Sequence, residues 1–180
     1  MKKSVIMIFI FWVINSSSIA KAEGIDIFEA ARENNFSAIK AYTQKGKDIN
    51  IVNSKRYTPF ILAAYYGHIQ ALDTLLKSGA ETCTVDNKGN NAFMGVAFKG
   101  HEHVAKWLLE NTACNVNHQN YAGQTAMMMA ALFGREDIIK LLLKHGANSE
   151  IIDKQGNTAS KLAQAQGLSK VVEIIKFHIQ

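Results

Sequence analysis

Arg56-Tyr57-Thr58-Pro59-Phe60-Ile61-Leu62-Ala63-Ala64-Tyr65-Tyr66-Gly67-His68 is a phrase that this chain repeats. It returns as Gly89-Asn90-Asn91-Ala92-Phe93-Met94-Gly95-Val96-Ala97-Phe98-Lys99-Gly100-His101, and again as Gly123-Gln124-Thr125-Ala126-Met127-Met128-Met129-Ala130-Ala131-Leu132-Phe133-Gly134-Arg135. A weaker copy runs from Gly156 to Gly167. The anchor positions 56, 89, 123 and 156 are 33, 34 and 33 residues apart. A fixed period of this length marks a stacked solenoid, whose units bury their apolar faces only against one another. The functional question therefore moves from a pocket to a surface.

Each unit carries its own start and stop signals. Thr58 is expected to cap a helix by accepting from an orphan backbone N–H, and Pro59 suits the first helical position. Small residues at Ala63-Ala64, Val96-Ala97 and Ala130-Ala131 let neighbouring helices approach closely. Gly67, Gly100 and Gly134 then end that helix. A second, amphipathic helix follows, with apolar positions Ile69, Leu72, Leu75 and Leu76 at three-to-four spacing. Its equivalents are Val104, Trp107 and Leu108-Leu109, then Ile138, Ile139 and Leu141-Leu142-Leu143. Gly79 and Gly146 close it, whereas Asn111-Thr112 replaces that glycine and carries the extra residue behind the 34-residue step. The stretches that follow, Val85 to Gly89 and Ile152 to Gly156, are rich in turn formers.

This pattern resembles the ankyrin repeat, with its family phrases G-x-T-P-L-H-x-A-A-x-x-G-H and L-L-L-x-x-G-A-x. The resemblance covers residues 23–180 and implies an all-α ankyrin-repeat solenoid of helix-turn-helix units joined by short β-hairpin loops. About five repeats are expected, near 23–53, 54–86, 87–120, 121–153 and 154–180. Ile25 to Asn53 reads as a degenerate first repeat, with Ala30-Ala31 at the small-residue position. Thr158 to Gln180 reads as a terminal cap, with Lys161, Gln164, Lys170 and Lys176 for its outer face. The family's first-helix histidine is replaced by Ile61, Met94, Met128 and Lys161.

The first 22 residues read differently. Lys2-Lys3, the apolar run Val5 to Ile14 and Ala20-Lys21-Ala22 form a signal-peptide pattern, with cleavage expected after Ala22. Export to the bacterial periplasm, or secretion, follows as an expectation. The apolar run is about half of the ~20 residues that a membrane-spanning helix needs, so no stable insertion is expected after cleavage. Losing Lys2, Lys3 and Lys21 lowers the formal charge of +5 by three. No run of Lys or Arg interleaved with aromatics appears, and no nucleic-acid partner is expected. The single proline and absence of a low-complexity linker suit one domain, expected to be monomeric.

The chemistry-bearing residues point to no catalytic centre. No serine elbow, phosphate loop or His-Glu-x-x-His spacing occurs, so no enzyme activity, metal or cofactor is expected. His68 and His101 recur one repeat apart and read as structural, and His103 is placed on another side of its helix. Met94, Met127, Met128 and Met129 read as gap fillers between stacked helices. Cys83 and Cys114 admit one intramolecular pairing, which an oxidising compartment would allow. Their places in neighbouring repeats are not equivalent, so bridged and separate thiols both stay open.

The strongest functional signal lies at the two positions before each helix-ending glycine: Tyr65-Tyr66, Phe98-Lys99 and Leu132-Phe133. The ankyrin resemblance implies that these positions face a concave groove beside the loop tips, near Tyr57 and Tyr121. Aromatic side chains supply large contact area at small entropic cost and are enriched at binding hot spots. These eight residues are the candidate contacts for another protein. By the same resemblance, small exported bacterial ankyrin proteins include oxidative-stress defence accessories and immunity partners that inhibit secreted toxins.

Overall fold

The structure, a computed structural model, describes residues 24–178. The expected signal peptide at residues 1–22 lies outside the described residues. The first helices of successive repeats are α1 (Ile27–Arg32), α3 (Pro59–Tyr66), α5 (Ala92–Lys99), α7 (Ala126–Leu132) and α9 (Ala159–Ala165). The second helices are α2 (Phe36–Gln44), α4 (Ile69–Lys77), α6 (Glu102–Asn111), α8 (Glu136–Lys144) and α10 (Ser169–His178). Each first helix packs on its own second helix and on the first helices of the adjacent repeats, which gives a two-layer stack.

Local chemistry explains where the helices start. The Thr58 hydroxyl accepts from Ile61 N at 3.2 Å, and Thr125 and Thr158 do the same for Met128 N and Lys161 N. Asn91 supplies its side-chain carbonyl to Met94 N. Gly67 ends α3 at φ +85°, and the same place in the first repeat is filled by Asn34 at φ +56°. Here α7 stops one residue early, at Leu132, with Phe133 as its cap. At the end of α6 no glycine is needed, because the Asn111 amide and Thr112 hydroxyl bond the carbonyls of Trp107 and Leu108.

The layers differ in burial as the sequence pattern requires. Phe60 to Ala64 are all buried in α3, since that layer is covered on two sides. The second helices bury one stripe, with Leu72, Leu75, Val104, Leu108, Ile139 and Leu142 at 1% exposure or less. Met94, Met127 and Met128 are buried between helices, while Met129 is only half-buried. At the junction of repeats two and three, α4 and α6 approach each other least among second-helix neighbours, and Trp107 reaches to the Phe60 ring at 6.4 Å. Lys161, Gln164, Lys170 and Lys176 of the last repeat are exposed.

Among the described residues no strand forms, so the expected hairpins are single tight turns. The reason lies in the residue that opens each loop. Asp86 Oδ1 accepts from Lys88 N and Asn90 N, and Asn53, Asn120 and Asp153 repeat that pattern. The side chain thereby takes backbone donors that a strand ladder would use. One backbone bond joins each loop to the next: Asn87 N to Lys55 O, Tyr121 N to Lys88 O and Lys154 N to Ala122 O. Gly123 is required there, because a Cβ would sit 2.9 Å from Lys154 N and φ is +78°.

Cys83 and Cys114 are joined by a disulfide, with Cα atoms 5.4 Å apart. The lack of equivalence between the two positions does not prevent it. Cys83 occupies the place of Asn50 and Asn117, each of which reaches forward 31 residues to the next repeat.

Candidate functional site

The row of loops and the row of first helices enclose an open groove of about 860 Å³. Its walls include six of the sequence-predicted residues: Tyr57, Tyr65, Phe98, Tyr121, Leu132 and Phe133. Tyr66 lines an adjoining groove of about 470 Å³, which shares Tyr57, Ile61 and Tyr65. Lys99 lies outside both linings, and its Nζ sits 5.2 Å from the centre of the Tyr65 ring.

The aromatic side chains form a chain of ring contacts across three repeats. Tyr65 stacks on Phe98 at 6.3 Å with 15° between ring planes, and Phe98 meets Phe133 edge-on at 4.8 Å. Tyr66 packs edge-on against Tyr65 at 5.4 Å. Such geometries suit the ring quadrupole and hold the rings in fixed relation. The contacts do not bury them: Tyr66, Phe98 and Phe133 keep 43%, 40% and 45% of their surface, and Tyr121 keeps 63%. The row therefore forms an exposed aromatic patch across adjacent repeats and not a layer of the core.

The helices position this row because Tyr65, Phe98 and Leu132 share one register position, and Tyr66, Lys99 and Phe133 share the next. Gly95, inside α5, leaves room beside Tyr65, whose ring would lie 3.4 Å from an added Cβ. That glycine, with Asn90, Gln124 and Met129, also lines the groove and was not among the predicted residues. Its signal was available in the sequence, since glycine inside a helix marks a close approach. The amides carried no such signal. Asn120 donates to Asn90 Oδ1 at 2.8 Å and Asn90 donates to Asp86 Oδ2 at 3.0 Å, a link visible only once the loops are stacked.

Electrostatics in the groove are set by burial and by the loop carboxylates. Burial raises the Tyr57 hydroxyl above its ordinary pKa of 10.0, and the nearby Asp86 charge and Tyr65 add to that. In the last loop, outside both groove linings, the Asp153 carboxyl is pushed up by burial, but hydrogen bonds from Asn157 and Gln155 outweigh this and leave it below the ordinary value.

The histidines serve the stack. His68 Nε2 lies 2.7 Å from the Arg32 carbonyl, and His103 Nε2 lies 3.2 Å from that of Gly67. The His101 ring covers Gly67 and would be 3.2 Å from an added Cβ there. Burial holds His101 below the ordinary histidine value despite the Tyr65 backbone carbonyl, and His103, Lys99 and His68 lower it further.

Comparison with known proteins agrees with this architecture. The family profile for ankyrin repeats, three copies long, matches residues 27–120 and 93–179. YahD, named as an ankyrin repeat protein of Escherichia coli (strain K12), is 27% identical over 145 residues, covering 78% of this chain and 72% of YahD. Dauer abnormal formation protein 25 of Caenorhabditis elegans is 30% identical over 123 residues, covering 68% of this chain and 31% of that protein. The chain thus spans most of YahD and about a third of the nematode protein.

Proposed function

The chain belongs to the ankyrin repeat family, a family of protein-interaction modules, and from that premise we propose that it is an exported protein that binds another protein in the groove between its loops and first helices. The observation that carries this reading is the half-exposed ring row of Tyr65, Phe98 and Phe133, which crosses three repeats beside Tyr57 and Tyr121. Rings that pack on one another cannot collapse on binding, so their surface is offered to a partner with little further ordering cost.

Two features support export. The first 22 residues have the charge, length and small-residue pattern of a cleaved signal, and Cys83 pairs with Cys114 in a bond that oxidising compartments favour. Export would make Glu23 the first residue of the mature chain, and intact-mass measurement of protein from the periplasm reads this directly.

Binding is tested by placing a photoreactive side chain at Phe98 or Phe133 and, as the control, at Lys106 or Lys140 on the second helices. Irradiation of cells should yield a defined protein adduct from the two groove positions and none from the helix positions. Adducts formed only from Lys106 or Lys140 would overturn the assignment.

A further inference from the structure

Charge is segregated between the two faces of repeats two to five. The loops and first helices of the second to fifth repeats (53–67, 86–100, 120–134 and 153–167) carry the cations Lys55, Arg56, Lys88, Lys99, Lys154 and Lys161. Their only carboxylates are Asp86 and Asp153, which are 5% and 6% exposed and bound to the donors of their own loops. Among the described residues, none of those six cations has a carboxylate partner. The second helices differ: Lys77, Lys106 and Lys140 pair with Asp73, Glu110 and Asp137, and Lys170 pairs with Glu136. In repeats two to five one face is thus neutralised by its own acids and the face holding the groove is not. The first helix of repeat one and its C-cap instead carry Glu29 and Glu33, and Glu29 pairs with Arg32.

We propose that the segment seated in the groove is an acidic peptide stretch of the partner protein that carries aromatic or aliphatic side chains. This rests on the groove reading above and adds the partner's chemistry. Apolar side chains of the peptide fill the space beside Tyr65, Phe98 and Leu132, where desolvation gives anchors their affinity. Its carboxylates meet Lys88 on the groove wall, Lys55 on the wall of the adjoining groove and Lys99 above Tyr65. Unpaired rim cations raise the encounter rate of an acidic partner and penalise a basic one. Single-stranded nucleic acid is the other polymer that combines negative charge with apolar faces, but it binds by stacking bases on open rings. In the central row the rings stack on one another instead: Tyr65 lies against Phe98 with the Lys99 ammonium near it, and Phe133 meets Phe98 edge-on. This leaves Tyr66 and Tyr121 as the open rings and makes an oligonucleotide the competitor to test.

The test is selection from a random displayed peptide library against the full chain, followed by fluorescence anisotropy on the enriched peptides. The expected result is enrichment of peptides rich in Asp and Glu that also carry Phe, Trp or Leu. Their affinity should fall about tenfold with Lys88→Glu plus Lys99→Glu, should fall with Phe98→Ala, and should be unchanged by Lys106→Ala. The charge-reversed pair sits on the exposed surface, so unchanged thermal melting serves as the folding control for it. Enrichment of neutral or basic peptides that still depend on Phe98 overturns the acidic assignment and leaves the groove reading standing. Enriched peptides indifferent to Phe98→Ala and Phe133→Ala overturn both. Tighter Phe98-dependent binding of an oligothymidylate than of any acidic peptide also overturns the proposal.

Discussion

Cys83 bonds Cys114 across 31 residues, the same step at which the Asn50 side chain accepts from Glu81 N and the Asn117 side chain accepts from Asn148 N. The two asparagines clasp repeat one to two and repeat three to four, each also donating to a glycine carbonyl, Gly79 or Gly146. The covalent clasp stands at the junction between them, where the second helices α4 and α6 approach least. A cross-link closing a loop of this length stabilises by about 2–4 kcal/mol. Cys83→Ser plus Cys114→Ser should therefore lower stability by about that amount in urea unfolding. Cys83→Asn plus Cys114→Ser should recover about 1 kcal/mol of it, if an amide there restores the hydrogen-bonded clasp.

Arg56 and Asn34 both hold positive φ where other repeats have glycine, and they should respond oppositely to it. Arg56 occupies the loop position of Gly89, Gly123 and Gly156 at φ +60°. Left-handed backbone costs an ordinary residue about 1–2 kcal/mol, so Arg56→Gly should raise the melting temperature. The Asn34 side chain accepts from Ala71 N at 3.1 Å and donates to Gln70 at 3.0 Å, tying the first repeat to the second. Asn34→Gly loses both bonds and should lower it.

Gly95→Ala separates stability from binding. Alanine favours a helix over glycine by about 1 kcal/mol, and the new methyl would meet the Tyr65 ring at an ordinary contact distance of 3.4 Å. Chemical unfolding should show equal or greater stability. The same methyl narrows the groove, so peptide affinity should fall.

Core and cap substitutions should differ sharply. Leu108 and Leu142 are 1% exposed on the second helices, and Leu→Ala at either should cost about 2–5 kcal/mol. Lys170 is exposed and its pair with Glu136 is a surface ion pair, worth about 0–1 kcal/mol. Denaturant midpoints for Leu142→Ala and Lys170→Ala should therefore lie far apart, and coincidence with wild type for Leu142→Ala would show the repeat register to be wrong.

Acid should destabilise the stack through His101. Its folded pKa is lowered by burial below the ordinary 6.5, so the unfolded chain binds the proton more readily. The associated stability is complete above that ordinary value and is lost as pH falls from it toward the folded value. Protonation would also leave the buried Nε2, which has no hydrogen-bond partner among the described residues, with an unsatisfied N–H. Thermal melting between about pH 8 and pH 5 should show a larger drop for wild type than for His101→Gln.

The solenoid was legible because its signals are local and recur: the Thr58 cap, the small pair Ala63-Ala64 and the Gly67 stop each act within one helix. The groove residues were legible for the same reason, since their register follows from those stops. What escaped the sequence lies between repeats. The Cys83–Cys114 pairing depends on the loop trace that also aligns Asn50 with Glu81, and no spacing rule within one repeat contains it. Single turns replace hairpin strands because the side chains of Asn53, Asp86, Asn120 and Asp153 take the backbone donors. Gly95 was readable as a gap, but only the neighbouring Tyr65 shows what the gap admits.

Binding through the ring row is the central claim, and one titration set tests it most directly. The partner captured by the Phe98 crosslink would be titrated against Tyr65→Ala, Tyr66→Ala, Phe98→Ala and Phe133→Ala, with Lys106→Ala and Lys140→Ala as controls. Each groove variant should lose about 1 kcal/mol or more of binding free energy, with at least one near 2, and the controls should match wild type. Full affinity in all four groove variants alongside lost affinity at Lys106 or Lys140 would contradict the account.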